Sequence, residues 1–133
     1  MQISTQQDDT TRRVDRCAVR SIDKALVAAT TEVLLGREEA ARLADGFKLL
    51  GDPNRVRILY ALLEAGELCV CDLAAATGIA ETGVSQAMRL LRTAGIVRNR
   101  RDGRVIYYRL DDDHVRQLLE LSRDHLAHQE PES

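Results

Sequence analysis

Apolar residues recur at three- and four-residue intervals through most of the chain, and glycines punctuate them. Ile22, Ala25, Leu26, Ala29 and Val33 keep helical spacing, and Gly36 ends that segment. Ala40, Leu43, Ala44, Phe47 and Leu50 predict a second helix from about Arg37 to Leu50. Gly51-Asp52-Pro53 reads as a stop followed by a start, with Asp52 capping and Pro53 at the first helical position. Val56, Leu59, Tyr60 and Leu63 mark the next helix, closed at Gly66. A short helix over about Val70 to Thr77 turns at Gly78; another opens at Glu81 or Thr82 and runs to Thr93 before Gly95.

Beyond Gly95 the period changes. Ile96 to Arg100 alternates weakly, Val105 to Tyr108 is β-branched and aromatic, and Asp102-Gly103 between them is a strong hairpin signal. A last helix is predicted from about Asp113 to Ala127, with Val115, Leu118, Leu119, Ser122 and Leu126 on one stripe. Cys71–Ala76 and Thr82–Thr93, joined by a glycine-containing turn, match a helix-turn-helix. The fold class is therefore mainly α with a small β-hairpin (α+β): a winged helix-turn-helix with Asp102-Gly103 at the wing tip. Residues 1–18 are polar, lack periodicity and are read as a flexible arm carrying Cys17; residues 19–130 are read as one DNA-binding and dimerisation domain.

Composition narrows the function. The 133 residues are 44% hydrophobic and 30% charged, which fits one globular domain. The longest apolar run, Ile58 to Leu63, is far short of the roughly 20 residues of a membrane span. The first thirty residues carry four arginines and no apolar stretch, so the expected location is the cytoplasm, without membrane attachment. Three cysteines are too few for a disulfide scaffold and suit ligands, sensors or core positions. No His-Glu-x-x-His motif or Ser/His/Asp set is present, so neither an enzyme nor a small-molecule substrate is expected.

A net charge of −2 hides a segregation. Ser85 to Arg109 holds seven arginines against Asp102, whereas Asp111 to Ser133 holds seven acids against two arginines. The basic stretch coincides with the second helix of the helix-turn-helix and the wing, as a polyanion-binding surface requires. Thr82, Ser85, Gln86 and Arg89 are the expected groove-facing residues, Gln suiting adenine and Arg suiting guanine. Arg98, Arg100, Arg101 and Arg104 are expected along the phosphates. The apolar outer helices imply a two-fold homodimer on a palindromic operator in double-stranded DNA.

Two clusters have metal-ligand chemistry. Asp112, His114, His125 and His128 all fall in the acidic tail. His125 and His128 are one helical turn apart, while His114 and His125 are about 16 Å apart along the axis yet face the same way. Two such helices packed antiparallel across a dimer would bring Asp112 and His114 of one chain to His125 and His128 of the other. Each of two symmetric sites would then offer three nitrogens and one oxygen, a tetrahedral set suited to Zn(II). Spacing alone leaves an ordinary solvated helix surface equally open. Cys69 and Cys71 could add Cys17 and an arm oxygen such as that of Asp15, a soft site for Cd(II), Pb(II) or Zn(II). They could equally be small core residues, or the thiols of a redox-responsive repressor on the same scaffold.

The stretches Leu50 to Leu59, Glu67-Leu-Cys-Val-Cys-Asp-Leu-Ala, Val84 to Arg92 and Arg101 to Leu110 together resemble the ArsR/SmtB family over about residues 38 to 128. The resemblance implies a dimeric winged-helix repressor that binds operator DNA without metal, is released by metal, and controls metal efflux or sequestration genes. It implies that Asp112, His114, His125 and His128 form the zinc-type site, and that Cys69 and Cys71, with Cys17 of a partner's arm, form the cadmium/lead-type site. In zinc sensors of this type the C-terminal His also links the ion to the end of the recognition helix, here backbone near Gly95. Ala74 stands where arsenic-responsive members carry a further Cys. Ser85-Gln86-Ala87-Met88 departs from the frequent Ser-His-Gln-Leu, so no operator preference carries over.

Overall fold

A computed structural model describes residues 22–129. The chain divides into two units, with the division inside a helix between Ala40 and Ala41. In the first, α1 (Lys24–Val33) begins where Asp23 accepts the Leu26 amide at 2.9 Å. Thr30 and Thr31 turn their hydroxyls back onto Leu26 O and Val27 O. The dividing helix is α2 (Arg37–Leu50).

The second unit contains the helix-turn-helix and the wing. Asp52 caps α3 (Pro53–Ala65) by accepting the Arg55 amide at 3.0 Å, and Pro53 sits in the first turn as expected. Arg55 Nε also donates to Leu49 O at 2.7 Å, fastening the end of α2 to the start of α3. Next come α4 (Val70–Thr77) and α5 (Glu81–Thr93). Gly78 takes φ +76 between them and donates its amide to Ala74 O, a left-handed cap that costs glycine little. Arg57 Nη1 reaches from α3 to Thr77 O at 2.6 Å, holding the carbonyl end of α4.

Ile58, Leu59 and Leu62 of α3, Leu73 of α4, and Val84, Ala87, Met88 and Leu91 of α5 form the core with Val97, Leu110 and Leu119. Because one face of α5 is consumed here, its opposite face is left to solvent.

The sheet has one strand more than the sequence reading. Leu68–Cys69 forms β1, and β2 (Val97–Asp102) and β3 (Val105–Leu110) complete an antiparallel sheet ordered β1-β3-β2. Leu68 pairs with Tyr108 and Cys69 with Tyr107. Two residues are too few to show alternation, so only the pairing with β3 reveals this strand. The wing turn also shifts by one residue. Asp102 pairs with Val105, so Asp102 closes the ladder and the two turn residues are Gly103, at φ +68, and Arg104. The helix α6 (Asp113–Gln129) packs on α3 through Leu119, and Tyr60 Oη donates to Leu119 O at 2.6 Å. Arg123 covers the same tyrosine ring at 4.8 Å.

Candidate functional site

The expected reading residues of α5 follow from its amphipathicity. With Val84, Ala87, Met88 and Leu91 buried, Thr82, Ser85, Gln86 and Arg89 are all exposed. No side chain caps the start of α5, so its first amides have no side-chain acceptor there. Such a terminus suits a phosphate oxygen.

The four wing arginines separate into two kinds. Arg98 Nε lies 3.2 Å from Asp111 Oδ1. Arg100 donates to both carboxylate oxygens of Glu67, at 2.7 and 2.9 Å, and its guanidinium lies 4.7 Å from the centre of the Tyr107 ring. Arg101 and Arg104 are exposed, and neither forms an ion pair among the described residues. Arg104 stands at the wing tip itself, a consequence of the shifted turn. Strand alternation explains the division, since Arg98 and Arg100 share one face of β2 and Arg101 lies on the other.

Cys69 and Cys71 are free thiols flanking the junction of β1 with α4; Cys69 is half-buried and Cys71 is exposed. The Glu81 carboxylate, at the first position of α5, pushes the Cys71 thiol pKa above its ordinary value by disfavouring a second negative charge beside it. Glu81 therefore couples electrostatically to a thiol at the start of the preceding helix. Cys17 lies outside the described residues.

At the other end of the wing, Asp112 Oδ1 accepts the Val115 amide at 3.1 Å and so caps α6. Its other oxygen lies 3.4 Å from His114 Nδ1. The Val115 amide and then His114 hold the Asp112 carboxyl below the usual carboxylate range. The His114 side chain is 91% exposed, so it is available to a partner molecule. His125 and His128 are likewise exposed near the far end of α6. Among the described residues, no group of three or more His, Cys, Asp or Glu side chains of one chain converges on a point. Asp112 is thus together with His114, and neither is together with His125 and His128, because α6 separates the two pairs along its axis.

The site contains two acids that sequence reasoning left unassigned, Glu67 and Glu81. Glu67 was visible in the Glu67-Leu-Cys69 stretch, but its partner Arg100 is 33 residues away, beyond any local pattern.

Between α2, α3 and α6 lies an apolar groove of about 630 Å³, lined by Phe47, Leu50, Tyr60, Leu118 and Leu126 among others. Phe47 and Leu126 are both 59% exposed. No helix among the described residues is long and apolar enough to cross a membrane.

Comparison with known proteins gives this geometry a lineage. Residues 52–99 match the model of the bacterial regulatory proteins of the arsR family. The chain is 44% identical over 93 residues to a transcriptional repressor SmtB homolog of Synechocystis, covering 70% of each protein. It is 40% identical over 106 residues to a cadmium resistance transcriptional regulatory protein CadC homolog of Staphylococcus aureus, covering 80% of this chain and 87% of that one. A homodimeric winged helix-turn-helix DNA-binding domain from Mycobacterium bovis superposes with a TM-score of 0.62 and 30% identity, over 76% of this chain and 99% of that domain. The chain belongs to the arsR family of bacterial regulatory proteins.

Proposed function

We propose that this protein is a cytoplasmic metal-responsive repressor, which holds operator DNA as a metal-free homodimer and releases it on binding Zn(II), Cd(II) or Pb(II). The controlled genes are those for metal efflux or sequestration, and the protein acts as a regulator rather than a catalyst. One observation carries the reading. At about 100° per residue, His114, Leu118, Leu121, His125 and His128 fall within about 40° of one line along α6. All five are exposed, Leu121 at 68%. An apolar centre flanked by imidazoles on an exposed helix face suits antiparallel pairing with a second copy. Pairing there covers Leu118 and Leu121 and brings Asp112 and His114 of one copy to His125 and His128 of the other.

The donor chemistry fits a metal. Asp112, His114, His125 and His128 would hold Zn(II) as three nitrogens and one oxygen. Cys69 and Cys71, with Cys17 from the arm (residues 1–18), would hold a softer ion such as Cd(II) or Pb(II). When bound, the ion supplies a cross-link between elements; the chain's own part is to present DNA-contacting side chains whose spacing depends on that link. Those side chains are Thr82, Ser85, Gln86 and Arg89 in the groove, with Arg101 and Arg104 at phosphates. Arg98 and Arg100 already face Asp111 and Glu67 and contribute less to phosphate binding. Release requires that metal bind the form with low DNA affinity more tightly.

The test is fluorescence anisotropy with labelled DNA from upstream of the gene. Reduced metal-free protein is expected to bind, Zn(II), Cd(II) or Pb(II) to release it, and chelator to restore it. Binding that ignores every metal and falls only on oxidation overturns the proposal.

A further inference from the structure

Glu67, Cys69, Tyr107 and Arg100 lie together where β1 joins the sheet. Cys69 pairs with Tyr107, and Tyr107 pairs with Arg100. Opposed residues of antiparallel strands point to the same side, so these three side chains stand in a row on one face of the sheet. Glu67, two residues before Cys69, falls on that face too. The contacts agree: both Glu67 oxygens receive Arg100, whose guanidinium lies over Tyr107. A two-pronged arginine–carboxylate pair fixes orientation as well as distance. It joins the segment bearing Cys69 directly to β2, past the intervening strand β3.

We propose that the Glu67–Arg100 pair is the link through which the cysteine pair sets the position of the wing, and with it Arg101 and Arg104. The proposal rests on reading Cys69 and Cys71 as metal ligands and the wing as a DNA contact. Arg100 is then a positioning residue and not a phosphate ligand. Strand β1 is two residues long, and among the described residues its one strand neighbour is β3. A displacement of Cys69 on so short a strand can be absorbed by local bending. The ion pair removes that freedom, because Glu67 and Arg100 move together and the wing moves with them.

The test compares the unmodified protein with Glu67→Gln, Arg100→Gln and the double variant, all reduced. Cd(II) alone is the probe. Cadmium–thiolate absorption reports its binding, and anisotropy at fixed salt reports DNA affinity with and without it. Equal absorption is expected in all four proteins. The cadmium-dependent loss of DNA affinity is expected to shrink by about fivefold or more in each single variant, and no further in the double. Single variants that keep the full loss, a double variant whose effects add, or variants that lose the absorption each overturn the link. If the unmodified protein shows no absorption or no release, the cysteine-site reading itself fails and the link falls with it. Should the variants not fold, hydrogen exchange in the unmodified protein decides. Cadmium is expected to change exchange at residues 97–110, and identical exchange there overturns the link.

Discussion

Asp112 serves two neighbours at once: one carboxylate oxygen lies 3.4 Å from His114 Nδ1 while the other accepts the Val115 amide at 3.1 Å. The helix cap and the proposed zinc ligand are therefore the same side chain, and the two roles can be separated by substitution. Asn caps a helix about as well as Asp, and Ala does not. Asp112→Ala is expected to lower the midpoint of urea unfolding, and Asp112→Asn to leave it nearly unchanged. Both are expected to weaken Zn(II) binding in competition with a chelator, since neither supplies a carboxylate. An Asn variant with undiminished zinc affinity would remove Asp112 from the ligand set.

The Glu81 carboxylate raises the Cys71 pKa, so near neutral pH that thiol is more fully protonated than an isolated cysteine. Glu81→Gln removes the charge and is expected to lower the pKa. Thiolate is the reactive species, so alkylation of Cys71 at pH 8, followed peptide by peptide in metal-free protein, is expected to speed up. Cys69 in the same protein serves as the internal reference. An unchanged rate at Cys71 would show that Glu81 does not govern its ionisation.

Glu67 titrates below the ordinary carboxylate range, chiefly because Arg100 donates to its charged form. A carboxyl whose folded pKa is depressed contributes stability that is present above its unfolded pKa. That contribution is lost as pH falls through the lower folded value. The Glu67–Arg100 pair is thus expected to be intact throughout the neutral range and to break only in acid below the usual glutamate midpoint of about 4.3. Carbon-detected NMR titration of the Glu67 carboxyl is expected to show a low midpoint that rises toward the ordinary value in Arg100→Gln. An equal midpoint in both proteins contradicts the pairing.

What was legible in the sequence was whatever local periodicity or capping chemistry dictates. Asp52-Pro53, Gly78 and the stripe Val84, Ala87, Met88 and Leu91 set the α3 start, the turn and the orientation of α5 with no long-range information. The exposure of Thr82, Ser85, Gln86 and Arg89 followed from that stripe. What was not legible depends on pairing across the chain. β1 exists because Leu68 and Cys69 meet Tyr108 and Tyr107 some 40 residues on. The wing turn moved to Gly103-Arg104 because Asp102 pairs across the ladder with Val105, a contact between strands that the local Asp-Gly signal does not contain. The basic stretch counted every arginine alike, although Arg98 and Arg100 have acids from elsewhere in the chain and Arg101 and Arg104 do not.

Leu121 is the most exposed large apolar residue on α6 and lies on the histidine-bearing line. Leu121→Glu would place a charge at the centre of the proposed pairing face without touching the core of the chain. Sedimentation is expected to show a shift toward monomer, with helical content unchanged by circular dichroism. Because the proposed zinc ligands come from two copies, zinc affinity is expected to fall in parallel. A dimer of unchanged strength would place the interface elsewhere.

The division among the arginines predicts a division in salt dependence. Each phosphate contact releases condensed counterions, so removing one lowers the slope of log affinity against log salt by about one. Arg101→Ala and Arg104→Ala are each expected to weaken binding to every DNA sequence alike and to reduce the slope by about one. Arg98→Ala is expected to leave the slope nearly unchanged, because Asp111 already faces that guanidinium at 3.2 Å. Gln86→Ala and Arg89→Ala act differently, since an α5 side chain that reads a base edge discriminates by about 1–3 kcal/mol. They are expected to relax sequence preference, with the larger affinity loss on operator DNA than on unrelated DNA. Equal slope changes for all four wing arginines would mean that the Asp111 and Glu67 pairs open on DNA, and that the wing contacts phosphates along both faces of β2.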